Sequence, residues 1–293
     1  MKVWFSVAVF TWCTGSVACS AQTTVTAQSV EAQLKAPILI MRGMYDGRAL
    51  KFDSEGNLIG KAKQLPFSLS AVRLDGVRVR ASEVVIEAQR EGLEFLYSQS
   101  SDQRWVREQA WGDEARIEVA VDPRHPEELS SALAKVFCMG IDANLADEVP
   151  AYWRPWVQHQ LDPRVNMEAN STNAIDLGYD WEKPRSKDIT PPRMDLTILR
   201  MPEDPLIAQH VGYIGAPTLA FVIDASGKAT EIRIVRPVGM DLDEAAVKVA
   251  SQLRFKPALY KGKPAAVLVD FMMPFSPSLN WGSQFERGPT TPP

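Results

Sequence analysis

Gly215-Ala216-Pro217-Thr218-Leu219-Ala220-Phe221-Val222-Ile223-Asp224-Ala225-Ser226-Gly227 is the stretch on which the reading of this chain turns. After Pro217 the apolar residues Leu219, Phe221 and Ile223 fall at every second position, which predicts a strand with one face turned inward. Asp224 to Gly227 is a turn with glycine where a positive φ is wanted. The return strand carries Ile232 and Ile234 inward, with Glu231 and Arg233 outward. Asp241 and Glu244, three residues apart, then have the spacing of a reciprocal helix cap. Leu242, Ala246, Val249 and Leu253 give the helix that follows one apolar face, and Pro257 stops it. Lys261-Gly262 turns the chain, and Val267, Val269, Phe271 and Met273 alternate as a third strand. Upstream, Pro205 to Val211 is compatible with a short helix.

That order of helix, hairpin, helix and strand carries two local signatures. One is the spacing Gly-x7-Ile-Asp-x2-Gly over Gly215, Asp224 and Gly227, and the other is Leu253-Arg254-Phe255-Lys256-Pro257. With Thr190-Pro191-Pro192-Arg193 ahead of them, residues 188 to 276 resemble the C-terminal domain of the TonB family, over about a third of the chain. The resemblance rests on Gly215, Asp224, Gly227, Arg254, Phe255 and Pro257. It implies a periplasmic domain of two helices on a three-stranded antiparallel sheet, of the kind found in energy transducers of outer-membrane transport. It also implies a partner, an outer-membrane transporter or other envelope protein, bound through a short extended peptide that adds to a sheet edge. Such an edge offers unpaired N–H and C=O groups and demands little of the peptide's sequence. The candidate edge is the last strand, Val267, Leu268, Val269, Asp270 and Phe271. The alternative is an internal or self-capped strand, and Asp270 is the sort of charge that guards an edge. A homodimer is left open. Three features depart from the family pattern: Leu253 stands where many members have Trp, Glu203-Asp204-Pro205 replaces a Tyr-Pro pair, and a long Pro-rich spacer is missing. Without such a spacer, docking is a more natural role than the transmission of force.

Working toward the N-terminus, Asp162 to Pro192 is rich in Asn, Ser, Asp and Pro and lacks a period, so a linker is placed at 161–187. Pro37 to Asp122 is strand-like. Ile38 to Tyr45 is apolar, Asp46-Gly47 has the composition of a tight hairpin turn, and a second turn sits at Glu55-Gly56-Asn57. Val72, Leu74, Val77, Val79, Val84, Ile86, Ile117, Val119 and Val121 continue a two-residue period, as in an antiparallel sheet with one wet face. Leu129, Leu133, Val136 and Phe137 then recur at helical spacing behind Pro126, Glu127 and Glu128, so one helix closes this region. Tyr152, Trp153 and Trp156 form an aromatic cluster that serves as a ligand platform or as a plug on the end of the sheet; large aromatics mostly supply burial, which favours the plug. The expected fold class is α+β. A mostly antiparallel β domain with a closing helix (37–160) precedes the TonB-like domain (188–276), with a mobile lead-in at 22–36 and a disordered tail at 277–293.

At the N-terminus, Met1-Lys2 is followed by an uncharged stretch from Val3 to Ala21 that is most apolar up to Trp12. This reads as a secretory signal cleaved after Ala21, which places the protein in the periplasm or outside the cell. Two other readings stay open. Ser16-Val17-Ala18-Cys19 resembles a bacterial lipobox, which would put a lipid on Cys19, and an uncleaved segment would anchor the chain in the inner membrane.

Chemistry is sparse. A net charge of −4 spread without a basic block excludes a nucleic-acid partner. His125, His159 and His210 have no ligand-spaced companions, so no metal is expected. Cys138 lies behind an apolar helical face and reads as a small buried hydrophobe. No nucleophile elbow appears, and Ser226-Gly227-Lys228-Ala229 lacks the first glycine of a phosphate loop. No cofactor and no enzymatic activity are called for. The expected function is that of a bacterial TonB-like envelope protein with a role in transmembrane transport. The alternative is a secreted small-molecule or lipid-binding protein whose N-terminal β domain carries the function.

Overall fold

The computed structural model describes residues 25–36, 38–43, 45, 47–97, 104–120, 124–167, 173–197, 205, 208–209 and 212–275. The signal segment with Cys19, Val121, His210, the tail from 277 and most of the helix expected at Pro205 to Val211 lie outside them.

In chain order the first region holds α1 (Ala27–Gln33), β1 (Leu39–Met41), β2 (Ala49–Phe52), β3 (Leu58–Ile59), β4 (Ser70–Val79), β5 (Val84–Tyr97), β6 (Arg104–Val119), α2 (Pro126–Val136), β7 (Phe137–Met139), α3 (Ala143–Glu148) and α4 (Arg154–Leu161). Seven strands form one sheet in the order β3-β2-β6-β5-β4-β1-β7. All its pairings are antiparallel except β2 with β6. The turn at Gly47 has the positive φ that its composition demands, yet it joins no hairpin. β1 goes to one side of the sheet and β2 to the other, because the long strands β4, β5 and β6 take the places between them. The turn at Glu55 to Asn57 does close a hairpin, β2 with β3, and the Asp53 carboxylate accepts from the backbone N–H of Glu55 and of Asn57.

Residues 22–36 show little period, but their described part contains α1, capped reciprocally by Thr26 and Ser29. Val25, Val30 and Leu34 anchor it on the sheet. Three apolar contacts hold a helix this short, too few to show as a pattern in sequence. α2 begins at Pro126 and buries Leu129, Ala132, Leu133 and Val136 over the same core. It is followed by α3 and α4, so more than one helix closes the region. Cys138 is buried, its thiol faces the Gly140 carbonyl, and burial pushes its pKa up to about 11, which keeps it an unreactive thiol.

The second region continues with β8 (Ile175–Gly178), β9 (Ile189–Thr190), β10 (Arg193–Met194), β11 (Thr218–Ile223), β12 (Ala229–Arg236), α5 (Leu242–Gln252), β13 (Phe255–Lys256), β14 (Ala258–Tyr260), β15 (Lys263–Ala265) and β16 (Val267–Met272). The main sheet has four strands, in the order β12-β11-β16-β8. The expectation of three antiparallel strands is corrected by β8, which comes from the stretch read as a linker and pairs in parallel with β16. β11 is buried along its whole length. Leu219, Phe221 and Ile223 face the large core, while Ala220 and Val222 meet Leu268 on the other side.

The expected cap of α5 is also corrected. Asp241 sits in the left-handed region (φ 62°) and makes no side-chain bond to the first helical turn. It accepts instead from the Ser68 hydroxyl, across the boundary between the two regions. Asp243 takes the backbone N–H groups of Val238 and Gly239, and Glu244 accepts from the Trp153 indole N–H at 2.8 Å.

One large core runs through both regions. Leu69, Ala71, Leu93 and Phe95 from the first sheet, Trp153 and Trp156 from α4 and the residue before it, and Leu219, Phe221, Leu242 and Phe271 from the second region are all in it. Trp153 and Trp156 are each 1% exposed and stack edge-on at 5.4 Å, and Phe95 lies edge-on to Trp156 at 5.2 Å. Backbone bonds cross the boundary as well: Phe95 N–H to Val238, Met240 N–H to Leu93 and Ile234 N–H to Tyr152. At this crossing Gly239 (φ 89°) packs so tightly that any Cβ would overlap the Leu93 carbonyl oxygen.

Candidate functional site at the edge of the C-terminal sheet

β16 is held in unbroken antiparallel register by β11, from Ile223↔Val267 to Thr218↔Met272. The register follows from burial: Val267, Val269 and Phe271 point into the large core, and a slip by one residue would bury Asp270. Phe271 lies 6.0 Å from Phe221 and 6.3 Å from Trp181. The backbone of Val267, Leu268, Val269, Asp270 and Phe271 is thereby presented on a rigid support, with its second hydrogen-bonding side turned away from β11.

That second side is not bare. β8 lies along it, with Ile175 opposite Val267, Asp176 opposite Leu268 and Gly178 opposite Val269. The Ile175 N–H donates to the Ala266 carbonyl at 2.9 Å. Pairing with β8 stops at Val269, so Asp270 and Phe271 lie beyond its end. The opposite edge of the sheet, β12, is tied by Ile234 to the carbonyl of Tyr152 just before α4.

The residues behind the resemblance converge at the far end of the same sheet, where their work is architectural. Asp224 accepts from Ser226 N–H, the Ser226 hydroxyl and Lys228 N–H. These bonds, led by the Ser226 hydroxyl, hold its carboxyl below the usual carboxylate range. Gly227 (φ 84°) brings its backbone against Phe255, whose N–H donates to the Gly227 carbonyl at 2.8 Å; no side chain fits there. The Arg254 guanidinium donates to the carbonyls of Leu253 and Ser251 at the C-terminal end of α5, where a cation offsets the helix dipole. Phe255 packs between Phe221 and Trp181, 6.1 and 6.3 Å away. Pro257 separates β13 from β14, and Gly215 pairs with Phe275 at the mouth of β11. The structure thus brings Asp224, Gly227, Arg254 and Phe255 together, while Gly215 stands at the opposite end of the strand.

With this geometry the comparison with known families is decisive for the segment. Residues 202–277 match the Gram-negative bacterial TonB protein C-terminal family. The TonB-type domain therefore begins upstream of β11 and contains β16 entirely, whereas β8 lies outside the matched residues. No curated protein matches the chain.

Sequence reasoning missed β8 and the acidic cluster at the start of α5. Asp243 is fully buried, and burial pushes its pKa up to about 7 against the pull of its two backbone donors. Glu244 is raised as well, first by burial and then by the charges of Asp243 and Asp241; burial also raises Asp241. Acids at Asp241, Asp243 and Glu244 are visible in the sequence, but Asp241 and Glu244 find their partners in Ser68 and Trp153, which arrive from elsewhere. His125, Glu127 and Glu128 each bring a ligand atom within 4.8 Å of the others, on exposed side chains at the start of α2. Spacing gave no expectation of that group. His159 is instead bonded through Nδ1 to the Val165 carbonyl.

Proposed function

We propose that this chain is a bacterial envelope protein of TonB type that docks an outer-membrane transporter, or another envelope protein, by strand addition at β16. The observation that supports this reading most is that the matched segment contains β16, held in register by β11 and flanked on its outer side by the short strand β8, which lies outside the match. A peptide that takes the place of β8 along β16 would make backbone hydrogen bonds without deforming the core beneath. Among the described residues no helix is long and apolar enough to cross a membrane. Export by a signal cleaved after Ala21 would leave the domain free to dock in the periplasm, and retention of residues 1–21 would add an inner-membrane anchor. The ligand-platform alternative for the first region loses its aromatic face, because Trp153 and Trp156 are spent in the shared core.

The test titrates the exported chain, beginning at Gln22, with synthetic peptides tiled along the periplasm-facing segments of outer-membrane transporters. Saturable binding that shifts the amide resonances of Val267 to Phe271 is the expected result. Absence of binding across the panel, with the chain folded, rejects docking. Perturbation that appears only as concentration rises without peptide would assign the edge to a homodimer instead.

A further inference from the structure

We infer that β8 is a built-in occupant of the docking edge, a strand of the chain's own that holds the place of the partner peptide and must leave before the partner enters. This rests on the docking reading above and adds its regulation and the shape of the peptide that fits.

Four observations carry it. First, β8 sits on the side of Val267, Leu268 and Val269 that a partner would use. Second, it is built to be weak: three paired positions, a register irregularity between Leu268 and Val269, and Gly178 at φ 58° ending it. Parallel pairs are also slightly less stable per residue than antiparallel ones. Third, its burial is shallow. Ile175, Leu177 and Gly178 are half-buried and Asp176 is exposed, whereas every residue of β11 on the other flank of β16 is buried. Fourth, firm anchors stand on both sides of it. Trp156 and Val157 of α4 precede it in the core, and Trp181 follows it, stacked on Phe255 and Phe271. Release of β8 therefore leaves the fold standing, and the anchors hold the freed strand close by for return, at a high effective concentration.

The exchange is nearly balanced, since an incoming strand remakes the bonds that β8 gives up. A competent partner is an extended peptide that runs parallel to β16 and carries apolar side chains at alternate positions, as Ile175 and Leu177 do.

The test uses the full exported chain and, as probe, a fluorescent peptide with the sequence of residues 173–180, which fits the edge by construction. Ile175→Pro removes the N–H that donates to Ala266 and disfavours β8. We expect the variant to bind the probe at least about tenfold more tightly than wild type. Equal binding by both proteins overturns the occupancy but leaves docking intact. No binding by either, with the variant's circular dichroism unchanged, overturns the docking reading and the occupancy with it. Hydrogen exchange on the unaltered protein is the second measurement. The Ile175 amide should exchange on the order of 100-fold faster than those of Leu219 to Ile223, because β8 opens without global unfolding; equal protection overturns the inference.

Discussion

The two ends of the seven-stranded sheet share the strands β4 and β5 yet are buried on opposite faces and by different parts of the chain. At one end Val84, Ile86, Ile117 and Val119 are covered by α1 and α2, elements of the same region. At the other, Leu69, Ala71, Leu93 and Phe95 are covered by α4 and by the TonB-type domain. The first end closes its own core, and the second borrows one. A sheet face must be buried against something. Here the far end of β5 and the TonB-type domain solve that problem for each other, so the TonB-type domain is mounted on the sheet.

The sharpest way to break this contrast is Trp156→Ala, which empties a site in the core that both regions share. It should cost about 3–5 kcal/mol. In urea, reporters in both regions should lose structure in one transition; a surviving second-region transition at the wild-type midpoint would show that the core is not shared. Next comes Gly239→Ala, which places a Cβ against the Leu93 carbonyl in a left-handed backbone and should cost about 2–3 kcal/mol. Amide resonances of Leu93 to Phe95 should shift while those of Val84 to Ala88, at the self-closed end, stay in place.

A third effect sharpens the contrast by pH. Asp243, Asp241 and Glu244 have folded pKa values above their unfolded ones, so between about pH 4 and pH 7 the folded chain binds more protons than the unfolded chain. Stability is therefore greatest at the acid side of that window and falls as pH rises through it, at up to about 1.4 kcal/mol per pH unit for each proton retained. Melting temperatures at pH 4.5 and 7.5 check the sign, and Asp243→Asn should flatten the slope. The smallest effect is expected at Gly262, whose φ of 79° serves only the exposed turn after Lys261 and where a Cβ would meet nothing within 4 Å. Gly262→Ala should cost about 1 kcal/mol, from backbone conformation alone. A loss as large as that of Gly239→Ala would mean that glycine position, and not crossing of the two regions, sets the penalty.

Legibility followed the same divide. β11, β12, α5 and β16 could be read because each carries its own period, and their turns at Gly227 and Gly262 have the residues that positive φ requires. β8 could not. Its alternation extends over Ile175 and Leu177 only, and its partner strand is some 90 residues later, so no local rule pairs them. The capping motif at Asp241 and Glu244 was legible but misleading, since spacing says nothing about a Ser68 hydroxyl and a Trp153 indole that compete for the same carboxylates.

What the amino-acid order determined by itself was local: which segments are strands or helices, where the chain turns, and the signature of a TonB-type domain. These depend on neighbours a few residues apart, whose periods and φ requirements are written in consecutive positions. Only the tertiary structure decided that both regions share a core, that Asp243 is buried and Asp241 and Glu244 half-buried where they meet, and that β8 covers the edge of β16. Each of those depends on desolvation and hydrogen-bond pairing between distant segments, quantities that come into being only when the chain has closed on itself.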